Sequence, residues 1–228
     1  MTPDSIKSSM IGYFPKGAQV VADPGDPAEL GGLRGRIIVP IFSEFGKVVG
    51  IAGRIPDPKE KGWWNTRFTK GSHLYGFNFA RKAIFEQNKA YVFEGYFDRA
   101  IIAQYGLENC VAAMSTDLGM RRIGLLARYC DRICLCFDTD HNDSGLLGTF
   151  RTLADMYSVG IGLSPSSWEV TMIQLPVKID PDDFVASNGM EAFLALEKPV
   201  EEFKLMKARS AFEELKARMK ERQKREQK

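Results

Sequence analysis

Glu94-Gly95-Tyr96-Phe97-Asp98 and Asp138-Thr139-Asp140 each close a short apolar run, Ala90-Tyr91-Val92-Phe93 in the first case and Ile133-Cys134-Leu135-Cys136-Phe137 in the second. Both runs are rich in β-branched or aromatic residues and each leads into a helical pattern, which is the layout of a parallel α/β sheet. Ligand crevices of such sheets lie at the carboxyl ends of the strands, so Glu94, Asp98, Asp138 and Asp140 are expected to converge. Four carboxylates sharing one site need cations. Divalent magnesium or manganese, which take hard oxygen ligands, would relieve the repulsion and bring phosphate chemistry with them.

The elements that must position these acids follow from the alternation of patterns. We expect helices over 76–88, 97–105, 118–129 and 144–157, and strands ending at Glu94 and over 109–113, 132–138 and 169–175. Alternating strands and helices imply a parallel sheet with right-handed crossovers. Upstream, Ile37–Phe42 and Lys47–Ala52 read as strands around a turn at Glu44-Phe45-Gly46, whereas residues 1–33, rich in proline and glycine, are expected to be mostly loop and turn with little regular structure. Short helices near 182–187 and 189–196 would close the sheet domain. A charged helix with a thin apolar stripe (Phe203, Met206, Phe212, Leu215, Met219) would follow Pro199. The expected division is a basic β-rich subdomain over 1–88, an α/β domain over 89–197 and a charged helical tail over 198–228.

A third acidic element, Asp180-Pro181-Asp182-Asp183, follows the apolar stretch Val170–Pro176. With it the sequence resembles the bacterial DnaG-type primases, whose toprim fold carries EGYxD, DxD and DPD motifs in this order. The first two alone would indicate only the broad toprim class, shared with topoisomerases, some nucleases and recombination proteins. Upstream blocks narrow it to the primase polymerase core: Arg34-Gly35-Arg36 before Ile37–Ile41, Gly50-Ile51-Ala52-Gly53-Arg54, Asn65, and Lys70-Gly71-Ser72-His73-Leu74-Tyr75-Gly76. The resemblance runs over about residues 10–196, within the span of one ordinary domain.

The resemblance implies a toprim-type parallel sheet flanked by helices and a DNA-directed RNA polymerase, a nucleotidyltransferase that makes short RNA primers on single-stranded DNA during DNA replication. Glu94, Asp98, Asp138, Asp140, Asp180 and Asp182 match the family's metal-site acids. We assign Asp138 a bridging position, with Glu94 as inner ligand or proton acceptor and Asp140 completing the catalytic set. Arg34, Arg36, Arg54, Lys61, Asn65 and Lys70 would hold nucleoside triphosphate and template. Lys61 is included because the family's lysine position ahead of Asn65 falls on Gly62. Arginine suits phosphate because its fork donates two hydrogen bonds at once. Simpler readings stand beside these: Asp98 and Asp182 as helix caps, Asp183 as a helix N-terminal acid, the basic residues as solvated charges, and Trp63 and Trp64 as packing residues rather than base-stacking platforms.

The chain departs from the family pattern in two further places. Thr139 replaces the usual glycine of DxD, with two extra residues before Ser144-Gly145, and Ala113-Met114-Ser115-Thr116 stands for SLGT, so Ser115 replaces a turn glycine. Nothing here matches the family's zinc module or its helicase-binding domain: either the chain is a piece of a longer primase, or a replicative helicase and a separate zinc-binding protein are its partners, and no zinc is expected in this chain. Cys110, Cys130, Cys134 and Cys136 show no CxxC spacing and read as packing residues of a reducing compartment.

Net charge is only +2, but it is unevenly spread: +5 over residues 1–90, −8 over 91–197 and +5 over 198–228. A basic flank beside an acidic centre suits a polymerase. The 228 residues are 44% apolar, enough for a folded core, with no membrane-length apolar run or signal-like N-terminus, and a cytoplasmic location is expected. Two other functions use the same acids or fold, a toprim nuclease and a non-catalytic nucleic-acid-binding module.

Overall fold

A computed structural model describes residues 1–17, 31–57, 59–60, 62–138, 144–158, 168–177 and 179–200. Two sheets make up the molecule. The first is antiparallel, with β1 (Gly12–Phe14), β2 (Arg36–Phe42), β3 (Val48–Arg54) and β4 (Trp63–Asn65) in that order. The second has the order β6-β5-β7-β8-β9, built from β5 (Lys89–Phe93), β6 (Cys110–Ala112), β7 (Arg132–Cys136), β8 (Glu169–Met172) and β9 (Lys198–Pro199). Strands β6, β5, β7 and β8 pair in parallel, and β9 adds an antiparallel edge.

Alternation along these strands builds a separate apolar layer on each face of the parallel sheet. Tyr91, Phe93, Cys134 and Cys136 face one way, against α3 (Tyr96–Gln104), α6 (Pro181–Asn188) and α7 (Met190–Leu194). Ala90, Val92, Ile133 and Leu135 face the other, against α2 (Phe77–Gln87), α4 (Met120–Leu126) and α5 (Ser144–Ser158). The first layer continues into the antiparallel sheet through Val39, Ile41 and Ala52, so the two sheets share a core. Trp63 seals that seam, its ring centroid 4.5 Å from Tyr96 and 5.2 Å from Phe97.

The expected α/β elements are present, with boundaries shifted by one to three residues. The strand expected over 169–175 ends at Met172, and the helix expected over 118–129 covers only Met120–Leu126, entered through Gly119 at φ 68°. The N-terminal segment, expected to carry little regular structure, holds two short elements that the sequence did not single out. Pro3–Ser8 form a helix, α1, with proline in the first turn and the Thr2 hydroxyl accepting from the Ser5 N–H at 3.2 Å, a favoured N-cap arrangement. Gly12–Phe14 then pair with Arg36–Ile38 at the edge of the first sheet. Density of proline and glycine hid a three-residue strand whose existence depends on a partner distant in sequence. The short strands β4 and β9 were missed for the same reason. The expected charged helix after Pro199 lies outside the described residues from 201 onward.

Candidate active site

The chain leaves β5 for β6 on one side and returns across β5 to β7 on the other, so β5 and β7 flank the switch point at which open α/β sheets bind ligands. Phe93 pairs with Cys136, which puts Glu94 one residue and Asp138 two residues beyond the paired ends of adjacent strands. The Glu94 backbone is fixed: its carbonyl accepts from the Met114 N–H at 2.9 Å, next to a 2.8 Å bond from the Ala113 N–H to the Phe93 carbonyl.

Asp98 enters from the first turn of α3. Its Oδ2 accepts from the Gly95 N–H at 3.0 Å and occupies the space a side chain at position 95 would need, so the EGYxD glycine makes room for the cap. The cap reading and the site reading of Asp98 are therefore compatible. The residue is half-buried, but its carboxyl is enclosed. Burial, followed by the negative charges of Asp138, Asp182 and Asp180, pushes its pKa up to about 8 against the pull of the Gly95 N–H.

Helix α6, which packs on α3, and its N-cap supply the acids of the third motif. Asp180 occupies its N-cap position, Pro181 its first turn, and carboxylate oxygens of Asp180, Asp182 and Asp183 lie within 4.8 Å of one another. Asp180 makes no side-chain cap bond, and Asp182 Oδ1 accepts from the Asp183 N–H at 3.0 Å. Burial and the neighbouring Asp183 and Asp180 charges raise the Asp182 pKa, opposed by that N–H. Asp183 thus stands beside the acids expected from the sequence. This is a hard-oxygen donor set of mutually repelling carboxylates, and it fits a divalent cation.

Lys70 starts a 3-10 turn, Lys70–Ser72, that leads into Tyr75, whose backbone exchanges hydrogen bonds with Ala112 at 2.9 and 3.0 Å. Burial and the positive charge of Arg122 lower its pKa, while the nearby Glu94 pulls the other way. Arg122 is 4% exposed; its Nη1 donates to the Ala113 carbonyl and, at 3.0 Å, to Ser115 Oγ. Ser115 Oγ donates in turn to the Asp117 carbonyl at 2.7 Å. Met114, between them, has φ 61°, so the strained residue of this loop is Met114 and the serine in the family's glycine position acts as a hydrogen-bonding post. Sequence reasoning missed Arg122. The available signal was the Ser115 substitution, which removed a glycine and created a partner for a buried guanidinium.

The other basic residues sit farther along the antiparallel sheet. Arg34 is exposed, Arg36 Nε donates to the Gly32 carbonyl at 2.8 Å, and Arg54 stacks over Trp63 at 5.9 Å. Asn65 Oδ1 accepts from the Tyr96 hydroxyl at 3.1 Å, which ties β4 to the first turn of α3. Trp63 and Trp64 lie in the edge strand β4, in keeping with a packing role. Asp140 and Lys61 lie outside the described residues, as do Thr139 and the two-residue insertion.

A family profile described as Toprim-like matches residues 91–185. A DNA primase of Clostridium acetobutylicum is 35% identical over 167 residues, 72% of this chain and 26% of that protein. The chain therefore spans about a quarter of the length of the curated relatives it matches. Among solved structures, the E. coli primase catalytic core superposes with a TM-score of 0.76 at 26% identity, covering 91% of this chain and 74% of that one. A DnaG primase catalytic domain bound to single-stranded DNA gives 0.73 at 27% identity, covering 87% and 71%.

Proposed function

This chain belongs to the bacterial DnaG-type primases, and from that premise we propose that it joins ribonucleoside triphosphates into short RNA primers on a single-stranded DNA template. The observation that carries the proposal is the convergence of Asp98 with Asp138, Asp180 and Asp182 beside Glu94 and Lys70.

In this reading Glu94, Asp98, Asp138, Asp140, Asp180 and Asp182, joined by Asp183, hold Mg²⁺ or Mn²⁺. Bound divalent cations supply charge neutralisation at the attacking and leaving oxygens of phosphoryl transfer. The chain's own residues do the remaining work. Gly95 and Asp98 fix the first turn of α3, and the Gly95 N–H holds the Asp98 carboxylate near Asp138. Glu94, anchored through Met114, is aimed at the reacting end of the primer, where it accepts the hydroxyl proton or ligates. Lys70, whose charge the neighbouring Arg122 disfavours, is poised for a polyanion, and a triphosphate relieves that repulsion. Arg34, Arg36, Arg54, Lys61 and Asn65 carry the template along the antiparallel sheet. Residues 1–88 then act as the template-holding unit and 89–197 as the catalytic one, with 198–228 as a tail whose first two residues, β9, add the edge strand to the catalytic sheet.

We further propose a replicative helicase and a zinc-binding protein as partners, to be tested by co-purification. No helix among the described residues is long and apolar enough to cross a membrane, and the replication role proposed here places the protein in the cytoplasm.

Incorporation of labelled ribonucleotides on unprimed single-stranded DNA, with Mg²⁺ or Mn²⁺ and beside an Asp138→Ala variant, tests the function. Short products lost in the variant are expected. Release of nucleotides from a labelled strand without any synthesis would instead identify a nuclease.

A further inference from the structure

A groove of about 450 Å³ opens between the β2–β3 turn, the Lys70–Ser72 turn and α4. Its volume is in the range of ligand pockets, roughly 300–1,000 Å³, with room for one nucleotide rather than for a duplex. Arg121, at the start of α4, and Arg128, in the turn after it, supply guanidiniums. Arg121 Nη1 donates to Ser72 Oγ at 3.0 Å, and Arg128 Nη2 pairs with Glu44 at 2.7 Å. Phe45 stands at the rim, 76% exposed, an aromatic ring the fold does not use. His73 lies half-buried in the wall, and burial holds its imidazole toward the neutral form.

The groove adjoins the candidate active site through two short links. Ser72 closes the turn that Lys70 begins, and Arg121 precedes Arg122, while Lys70 and Arg122 both lie on the Glu94 side. Flat rings beside fixed cations are the elements with which proteins bind single-stranded nucleic acid, the bases stacking and the phosphates pairing. A free nucleoside triphosphate travels with a divalent cation that carboxylates help to hold, but among the described residues the one acid lining this groove, Glu44, is paired with Arg128.

Resting on the polymerase reading, we infer that this groove holds one unpaired nucleotide of the single-stranded template next to the acidic centre, with its phosphate on Arg121 and its base on Phe45. The template path then continues past the active site, to the opposite end of the β2–β3 hairpin from Arg36 and Arg54.

The test is fluorescence anisotropy of a labelled oligodeoxynucleotide with the full chain, free of divalent cations, for the parent and for Phe45→Ala and Arg121→Ala. Phe85→Ala, a second exposed phenylalanine on α2, serves as control, and far-UV melting confirms folding. Both groove variants should raise Kd roughly tenfold, the control should not, and Arg121→Ala should reduce the slope of log K against log salt by about 0.7. Kd values within twofold of the parent for both groove variants, or no measurable binding by the parent, would overturn the assignment. Weakened binding of free ribonucleoside triphosphate with unchanged binding of the strand would overturn it as well. No synthesis enters this measurement, so weakened strand binding in a protein that makes no primers would keep the groove and sink the primase reading. Unchanged binding in a primer-making protein would sink the groove alone.

Discussion

Asp98 is the residue at which structure and electrostatics meet. Its folded-state pKa, about 8, lies above the ordinary 3.8, so the folded protein holds a proton that the unfolded chain releases. The sign follows: without divalent cations the stabilising proton is fully present below about pH 4, and stability declines as pH rises toward 8. Asp98→Asn keeps an acceptor for the Gly95 N–H and removes the charge. At pH 8 the cation-free variant should melt a few degrees above the parent, on the order of 1 kcal/mol. Added Mg²⁺ should raise the parent's melting temperature and leave the variant nearly unmoved; equal responses to Mg²⁺ would exclude Asp98 from the cation site. Arg122 is legible only in three dimensions. Arg122→Ala removes the guanidinium donor to the Ala113 carbonyl and Ser115 Oγ, leaving the carbonyl only a long 3.4 Å bond from the Ser115 hydroxyl, and should cost about 3 kcal/mol by denaturant unfolding. Ser115→Ala should cost about 1 kcal/mol. A cost for Arg122→Ala no larger than that of Ser115→Ala would show that the guanidinium does not organise this loop.

Among the elements, α5 is held against the loop beside the site by a missing side chain. A Cβ at Gly148 would overlap the Thr116 carbonyl, and the Leu118 N–H donates to Thr152 Oγ1 at 3.0 Å one turn later. Gly148→Ala should therefore destabilise by about 1–3 kcal/mol. Gly124→Ala on α4, where nothing lies within 4 Å of the added carbon, should stabilise by about 0.5–1 kcal/mol. Thermal melts of the two variants moving in the same direction would refute this account of the α5 contact. At the far edge of the sheet, Glu197 accepts from Lys89 Nζ at 2.5 and 2.7 Å, from the Tyr91 hydroxyl at 2.9 Å and from the Thr171 hydroxyl, which joins β5 and β8 to the segment after α7. Burial raises its pKa, but these hydrogen bonds prevail and leave it below the ordinary value. Its contribution is present above the ordinary carboxylate pKa and is lost as pH falls through the lowered folded value, the opposite course to that of Asp98. Glu197→Gln should cost about 2 kcal/mol at pH 7 and much less under acid, read from denaturant midpoints.

Over the whole molecule, the layer that runs from Phe93 and Tyr96 to Val39, Ile41 and Ala52 makes the two sheets a single cooperative body. Tryptophan fluorescence, to which Trp63 at the seam contributes, and far-UV circular dichroism should follow one common unfolding transition, and two separated midpoints would contradict the shared core. That core explains how far the sequence could be read. Alternation along Ala90–Phe93 and Ile133–Phe137 is a local pattern, so it determined the strands, their helices and the acids at their ends without reference to anything distant. The motif order of Glu94, Asp138 and Asp180 belongs to the chain itself in the same way. Tertiary structure decided which strands are neighbours, that Asp98 caps α3 while facing Asp138, that Asp183 joins the acids, and that Arg122 bonds with Ser115 beside Lys70. It also revealed β1, β4 and β9, three short strands that exist only because a partner supplies their hydrogen bonds. Periodicity is written within a few residues, whereas pairing, burial and the field of converging charges depend on distances through space that the folded chain alone sets.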